Sequence, residues 1–129
     1  MSEGQRIRDF MTTATREQAS IATRAISLRV LSGVVMRTPV DTGRARGNWQ
    51  VAIGTGSVSG ETNQEDKSGS STISTGSSTI ERQRDLEQVQ LVNNVPYIGP
   101  LDDGSSRQAP QGMVSETLAG LGLGTGRDG

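Results

Sequence analysis

Between residues 5 and 37 the apolar positions fall on one helical stripe. Ile7, Met11, Ala14, Ile21, Ala25, Leu28 and Val35 recur at alternating spacings of four and three, with Gln18 and Ser32 as polar interruptions. Phe10, Ala22, Leu31 and Val34 widen the stripe; no proline interrupts it and Gly33 comes late. The pattern predicts an amphipathic helix of roughly 50 Å at the usual rise per residue. Ser2 and Gln5 are spaced for a capping box at its start. Such spacing suits a helix laid across a sheet or a coiled coil. The alanine content and polar breaks favour the sheet.

At Thr38-Pro39 the pattern stops. Proline has no amide proton and biases the preceding residue away from helical angles, so the helix should end here. Asp41-Thr42-Gly43 supplies a side-chain acceptor and a residue tolerant of positive φ, which makes a turn. From Asn48 the period becomes two: Trp49, Val51 and Ile53 point one way, Gln50 and Ala52 the other. Residues 54–79 hold only two strongly apolar side chains, Val58 and Ile73, among Gly, Ser and Thr. This is expected to be a long, mobile loop joining two antiparallel strands. Ser78-Thr79-Ile80-Glu81 fits a capping box and predicts a short helix through Leu86. Gln88 to Asn93 alternates as a strand pairing with the one at Trp49. Pro110 suits the first turn of a last helix with Met113, Val114, Leu118 and Leu121 on one side, followed by a fraying glycine-rich tail from residue 122. The expected fold class is α+β in one domain: a long N-terminal helix packed on a small antiparallel sheet, with a long polar hairpin loop and short C-terminal helices.

Composition makes the core small. The 129 residues include one Phe, one Trp and one Tyr, and aromatic side chains bury the most area per residue. Assembly of copies would add buried area that a monomer lacks. The formal net charge is −1, yet residues 1–50 carry +4 and residues 51–129 carry −5. Opposite-signed halves suit head-to-tail packing of identical subunits; a solvated helix bearing arginines is the plainer account. No apolar run approaches the length needed to cross a bilayer, and the N-terminus lacks the apolar core of a signal peptide. No membrane partner is expected, and the chain is expected to be made in a cytoplasm.

Histidine and cysteine are absent, which removes the commonest metal ligands, general bases and strong nucleophiles. Asp41-Thr42-Gly43 repeats the tripeptide at the catalytic turn of aspartic proteases. That chemistry needs the turn to follow an apolar strand; here a helix and Thr38-Pro39 precede it, so a structural turn is expected. Asp102-Asp103 lacks the further carboxylates of a calcium loop. Gly120, Gly122, Gly124 and Gly126 imitate a phosphate loop but open no helix. The arginines of the first helix are scattered, with few aromatics for base stacking. No enzyme activity, cofactor or metal is expected.

Two stretches carry a resemblance. Thr38-Pro-Val-Asp-Thr-Gly-Arg-Ala-Arg-Gly-Asn-Trp-Gln is similar to the "PVDTGR(L/A)R…W" signature of small tail-completion, or neck, proteins of long-tailed bacteriophages, also described as minor-tail-protein-Z-like. Val92-Asn-Asn-Val-Pro-Tyr-Ile-Gly-Pro-Leu-Asp-Asp-Gly-Ser-Ser-Arg-Gln-Ala-Pro-Gln-Gly-Met-Val resembles the same family's "NN.PY...L..G.S.QAP.G.V" block. Ile98-Gly99-Pro100 departs from it, where a charged or alanine-containing helical turn is more usual.

The resemblance implies an α+β virion protein made in a bacterial host. It would form a homo-oligomeric ring of six or twelve copies at the head–tail junction. Its partners would be other neck, connector or tail proteins, with DNA passing through the lumen without specific binding. A tail terminator or head-closure ring is the neighbouring alternative; a monomeric or dimeric binding module with a flexible arm is the alternative of another class. On the matched positions, Asp41 would cap or pair locally and Arg44 would clamp a carboxylate within or between subunits. Trp49 would sit in the core, and Tyr97 and Leu101 would anchor the second block. Asp103, Ser106 and Arg107 would lie on an exposed turn near a subunit boundary.

Overall fold

In the computed structural model, which describes residues 2–100 and 112–122, helix α1 runs Glu3–Arg37. Ser2 and Gln5 form the expected capping box: the Gln5 amide donates to the Ser2 hydroxyl at 3.2 Å and the Ser2 amide to Gln5 Oε1 at 3.0 Å. Thr38 ends the helix with extended angles, as the residue before Pro39 must. A short helix α2, Arg44–Gly47, follows the bend at Asp41 and Thr42, entered through Gly43 at φ 88°. Strand β1, Trp49–Ile53, pairs antiparallel with β2, Val89–Asn93, in the register Trp49 opposite Asn93 and Ile53 opposite Val89. A single helical turn, α4, covers Ile98–Pro100, and α5 covers Met113–Gly120. The α+β class, with a long helix, a small antiparallel sheet and short C-terminal helices, is the one the sequence predicts.

The connection between the strands differs from expectation. It carries an eleven-residue helix, α3, Ser70–Ile80. The helix expected from Ser78 to Leu86 does not exist; Ser78 and Thr79 lie in the last turn of α3. Their hydroxyls bond back to the carbonyls of Ser74 and Thr75, at 3.1 and 3.4 Å, as they do inside a helix rather than at its start. After α3 the chain turns through Asp85 and Leu86, two successive residues at φ 53° and 60°. That turn is tied to α1: the Leu86 amide donates to the Ser20 hydroxyl at 2.8 Å, and Arg24 donates to the Gln83 carbonyl at 2.7 Å.

A two-stranded sheet is marginal alone and needs a helical cover. α3 packs between α1 and β1, and closely: a Cβ on Gly76 would stand 2.6 Å from the Leu31 side chain and 3.0 Å from that of Val51. Leu31, Val34 and Val35 of α1 meet Trp49, Ile80 and Met113 in the core. On α5 the buried residues are Met113 and Thr117, one turn apart. Val114 packs against the core from its margin. Pro110 and the tail from residue 123 lie outside the described residues.

The stripe predicted to face the sheet mostly does not. Ser20, Ser27, Leu31, Val34 and Val35 are the buried residues of α1, while Ile7, Met11, Ile21 and Ala25 are exposed. At about 100° per residue the buried face lies more than 100° round the helix from the centre of the predicted stripe. α1 also holds a stretch long and apolar enough, by length and composition, to cross a bilayer, where the sequence pattern suggested none. One side of its C-terminal half, with Leu31, Val34 and Val35 buried, packs against α3 and α5; 28% of the apolar stretch is buried.

Candidate functional site

The corner between α1 and β1 gathers the first motif block, the interstrand loop and the start of the second block. Gly43 and Gly47 are buried there because the loop backbone lies against them. A Cβ on Gly43 would meet the Lys67 amide nitrogen at 2.7 Å, and one on Gly47 the Gln64 carbonyl at 2.3 Å. The Asp66 amide donates to the Gly43 carbonyl at 3.0 Å. Fully buried Asn48 clips the loop down: its Nδ2 donates to the Arg44 carbonyl and its Oδ1 accepts from the Thr62 amide, both at 2.8 Å. Asn93 Nδ2 donates to the Ala45 carbonyl at 2.8 Å, joining β2 to α2. Of residues 54–79, expected to be a mobile loop, residues 62–67 are held against the corner by these bonds and contacts.

Arg44 stands exposed on this platform. Its Nε donates to Glu61 Oε2 at 3.0 Å and its Nη2 contacts the same oxygen. Its guanidinium lies over the Tyr97 ring, 5.5 Å from the centroid, within cation–π range. The hydrogen bond and charge of Glu61 raise the Arg44 pKa above its ordinary value. The carboxylate that Arg44 clamps is therefore in its own chain. Arg44 and Tyr97, far apart in sequence, are brought together.

The other expected site residues fare differently. Asp41 is exposed, and no hydrogen bond or ion pair joins it to another described residue. The local bond expected of it is made instead by Thr42, whose hydroxyl accepts from the Arg44 amide at 3.2 Å. Trp49 is buried in the core, with its indole N–H donating to Thr38. Leu101, Asp103, Ser106 and Arg107 lie outside the described residues.

Two residues escaped the sequence reading. Arg46 donates from Nε to the Thr38 carbonyl at 3.0 Å, from Nη2 to Met36 at 2.8 Å and from Nη1 to Lys67 at 2.6 Å. It thereby satisfies the end of α1 and holds the loop. No local signal separated it from Arg44: Arg6 and Arg8 have the same spacing and both are exposed. Asp66, in a loop read as solvated, is buried and caps α3. It accepts from the Thr72 amide and hydroxyl at 2.8 Å each, from Gly69 N–H at 3.0 Å and from the Ser68 hydroxyl at 3.2 Å. Burial pushes the Asp66 carboxyl up, but the bonds from Thr72, Gly69 and Ser68 together outweigh it and hold the pKa below the ordinary value.

This is an architecture for holding segments together and presenting Arg44, Glu61 and Tyr97 on one face. Among the described residues no three His, Cys, Asp or Glu side chains come close enough to hold a metal. Comparisons of the chain with protein-family models, curated proteins and solved structures give no match.

Proposed function

We propose that this chain is a structural, non-catalytic virion protein of a tailed bacteriophage, one subunit of a homo-oligomeric ring that completes the tail and joins it to the head-side connector. The observation that carries the reading is the meeting of Arg44 and Tyr97. They come from the two blocks that resemble the neck proteins, and they stack on the exposed corner. Arg44 and Tyr97, 53 residues apart in sequence, thus share one surface, as expected of a family signature that serves a shared contact. Polar clips such as Asn48 and Arg46 stiffen that corner. A subunit that must present the same contact to each neighbour around a ring needs that stiffness. The small aromatic complement of the core fits a chain that reaches full stability among its copies.

In this role DNA crosses the ring lumen without specific binding, and no cofactor takes part. The test is genetic. In a phage lacking this gene, filled heads and tails accumulate unjoined, and the wild-type chain supplied in trans restores joined particles. Arg44→Ala restores fewer. Normal joined particles in the absence of the chain would overturn the reading.

A further inference from the structure

α1 has two apolar faces, and the described residues cover only one. The covered face holds Leu31, Val34 and Val35; the bare one holds Ile7, Phe10, Met11 and Ile21, exposed by 56%, 73%, 62% and 51%. Residues 2–13 are all exposed, and among the described residues Asp85 faces them across an open cleft lined by Asp9, Thr12 and Thr13. A helical segment of that length is marginal in water without a packing partner.

The bare face has the pattern of a helix–helix seam. From Ile7 to Ala25 its positions alternate by four and three, the heptad repeat that keeps one stripe facing another helix. Packing against a broad body does not require that repeat. Ala14 and Ala25 are small enough for close approach, and Gln18 is the kind of single polar seam residue that fixes register at some cost in stability.

We propose that the bare face of α1 is an interface between copies of this chain, with α1 of one copy laid along α1 of the next. The proposal rests on the ring reading and assigns it a contact surface. Two features favour a second copy as the occupant. Over residues 3–17 the helix carries Arg6, Arg8 and Arg16 against Glu3, Asp9 and Glu17. That balance lets two identical helices meet without net repulsion, and offers no single-sign field for an anionic surface or a strongly charged partner. Pairing the seam from Ile7 to Ala25 removes on the order of 1,000 Å² of total surface from water, the size at which specific interfaces begin.

The test compares solution masses by native mass spectrometry over a concentration series, for wild type, for the double variant Met11→Glu with Ile21→Glu, and for Ile26→Glu. Ile26 is exposed on the same helix outside the seam, and controls for loss of folding. We expect wild type and Ile26→Glu to form multiples of the 13.6 kDa chain, and the double variant to fall to monomer with Trp49 fluorescence unchanged. A double variant that still assembles overturns the helix interface and leaves the ring reading standing. A wild type that stops at a dimer, dispersed by the double variant, supports the interface and removes the ring. A wild-type monomer at every concentration overturns the helix interface. Should the double variant fail to fold, hydrogen exchange on wild type decides. Amides 6–18 gain protection as concentration rises if the seam is an interface, and unchanged exchange overturns it.

Discussion

The indole N–H of Trp49 donates to the Thr38 hydroxyl at 2.8 Å, and that hydroxyl donates to the Val34 carbonyl, 2.5 Å away, beside the Met113 sulfur. One buried oxygen thus ties the end of α1 to the first residue of β1 and to α5. Thr38→Val keeps the shape but leaves the buried indole N–H without a partner, a cost of about 1–3 kcal/mol. Denaturation followed by the fluorescence of Trp49, the chain's one tryptophan, measures it. A loss under roughly 0.5 kcal/mol would mean that the bond adds little beyond packing.

Arg46 should matter more to folding than its exposed neighbour Arg44. Arg46→Met abandons three carbonyls at the end of α1 and in the loop, and should cost roughly 1–3 kcal/mol. Arg46→Lys should recover only part, because an ammonium cannot reach three acceptors with the geometry of a planar fork. Urea midpoints of the two variants give the comparison.

Two glycines make opposite predictions. A Cβ at Gly47 meets the backbone oxygen of Gln64, which can move only with the whole loop. Gly47→Ala should therefore destabilise by about 1–3 kcal/mol and open residues 61–66 to protease. At Gly4, in the first turns of α1, a Cβ meets nothing within 4 Å. Gly4→Ala should stabilise the arm by up to about 1 kcal/mol through helix propensity. Circular dichroism melts and limited proteolysis distinguish the two.

Asp66 makes stability depend on acid. Its folded pKa is lowered, so its contribution is fully present above the unfolded carboxylate value of about 4 and is lost as pH falls through the lower folded value. Asp66→Asn should cost about 0.5–2 kcal/mol near neutrality, as for loss of a helix cap. The gap in Tm between variant and wild type should close below about pH 4. A gap independent of pH would place the effect in packing instead of charge.

The parts legible in the sequence were those set by strong local rules. Ser2 and Gln5, Pro39 after Thr38, and the alternation at Trp49 and Val89 fixed the bounds of α1 and both strands. α3 was not legible by propensity, because Ser, Thr and Gly favour caps and turns. Its one periodic signal was Thr72, Gly76 and Ile80 at spacings of four, two of them too small to register as apolar. The orientation of α1 was misread for a related reason. The helix buries Ser20, whose hydroxyl takes the Leu86 amide, and the small Ser27, and keeps its better heptad pattern bare. The meeting of Arg44, Glu61 and Tyr97 depends on where the loop lies, and local sequence carries no record of that.

We propose that this chain works as one subunit of a closed ring. Native mass spectrometry of the purified protein across a concentration series tests it most directly. A single closed assembly of six or twelve copies is the predicted result. A chain that stays monomeric at every concentration, and also when mixed with purified phage tails, would contradict it.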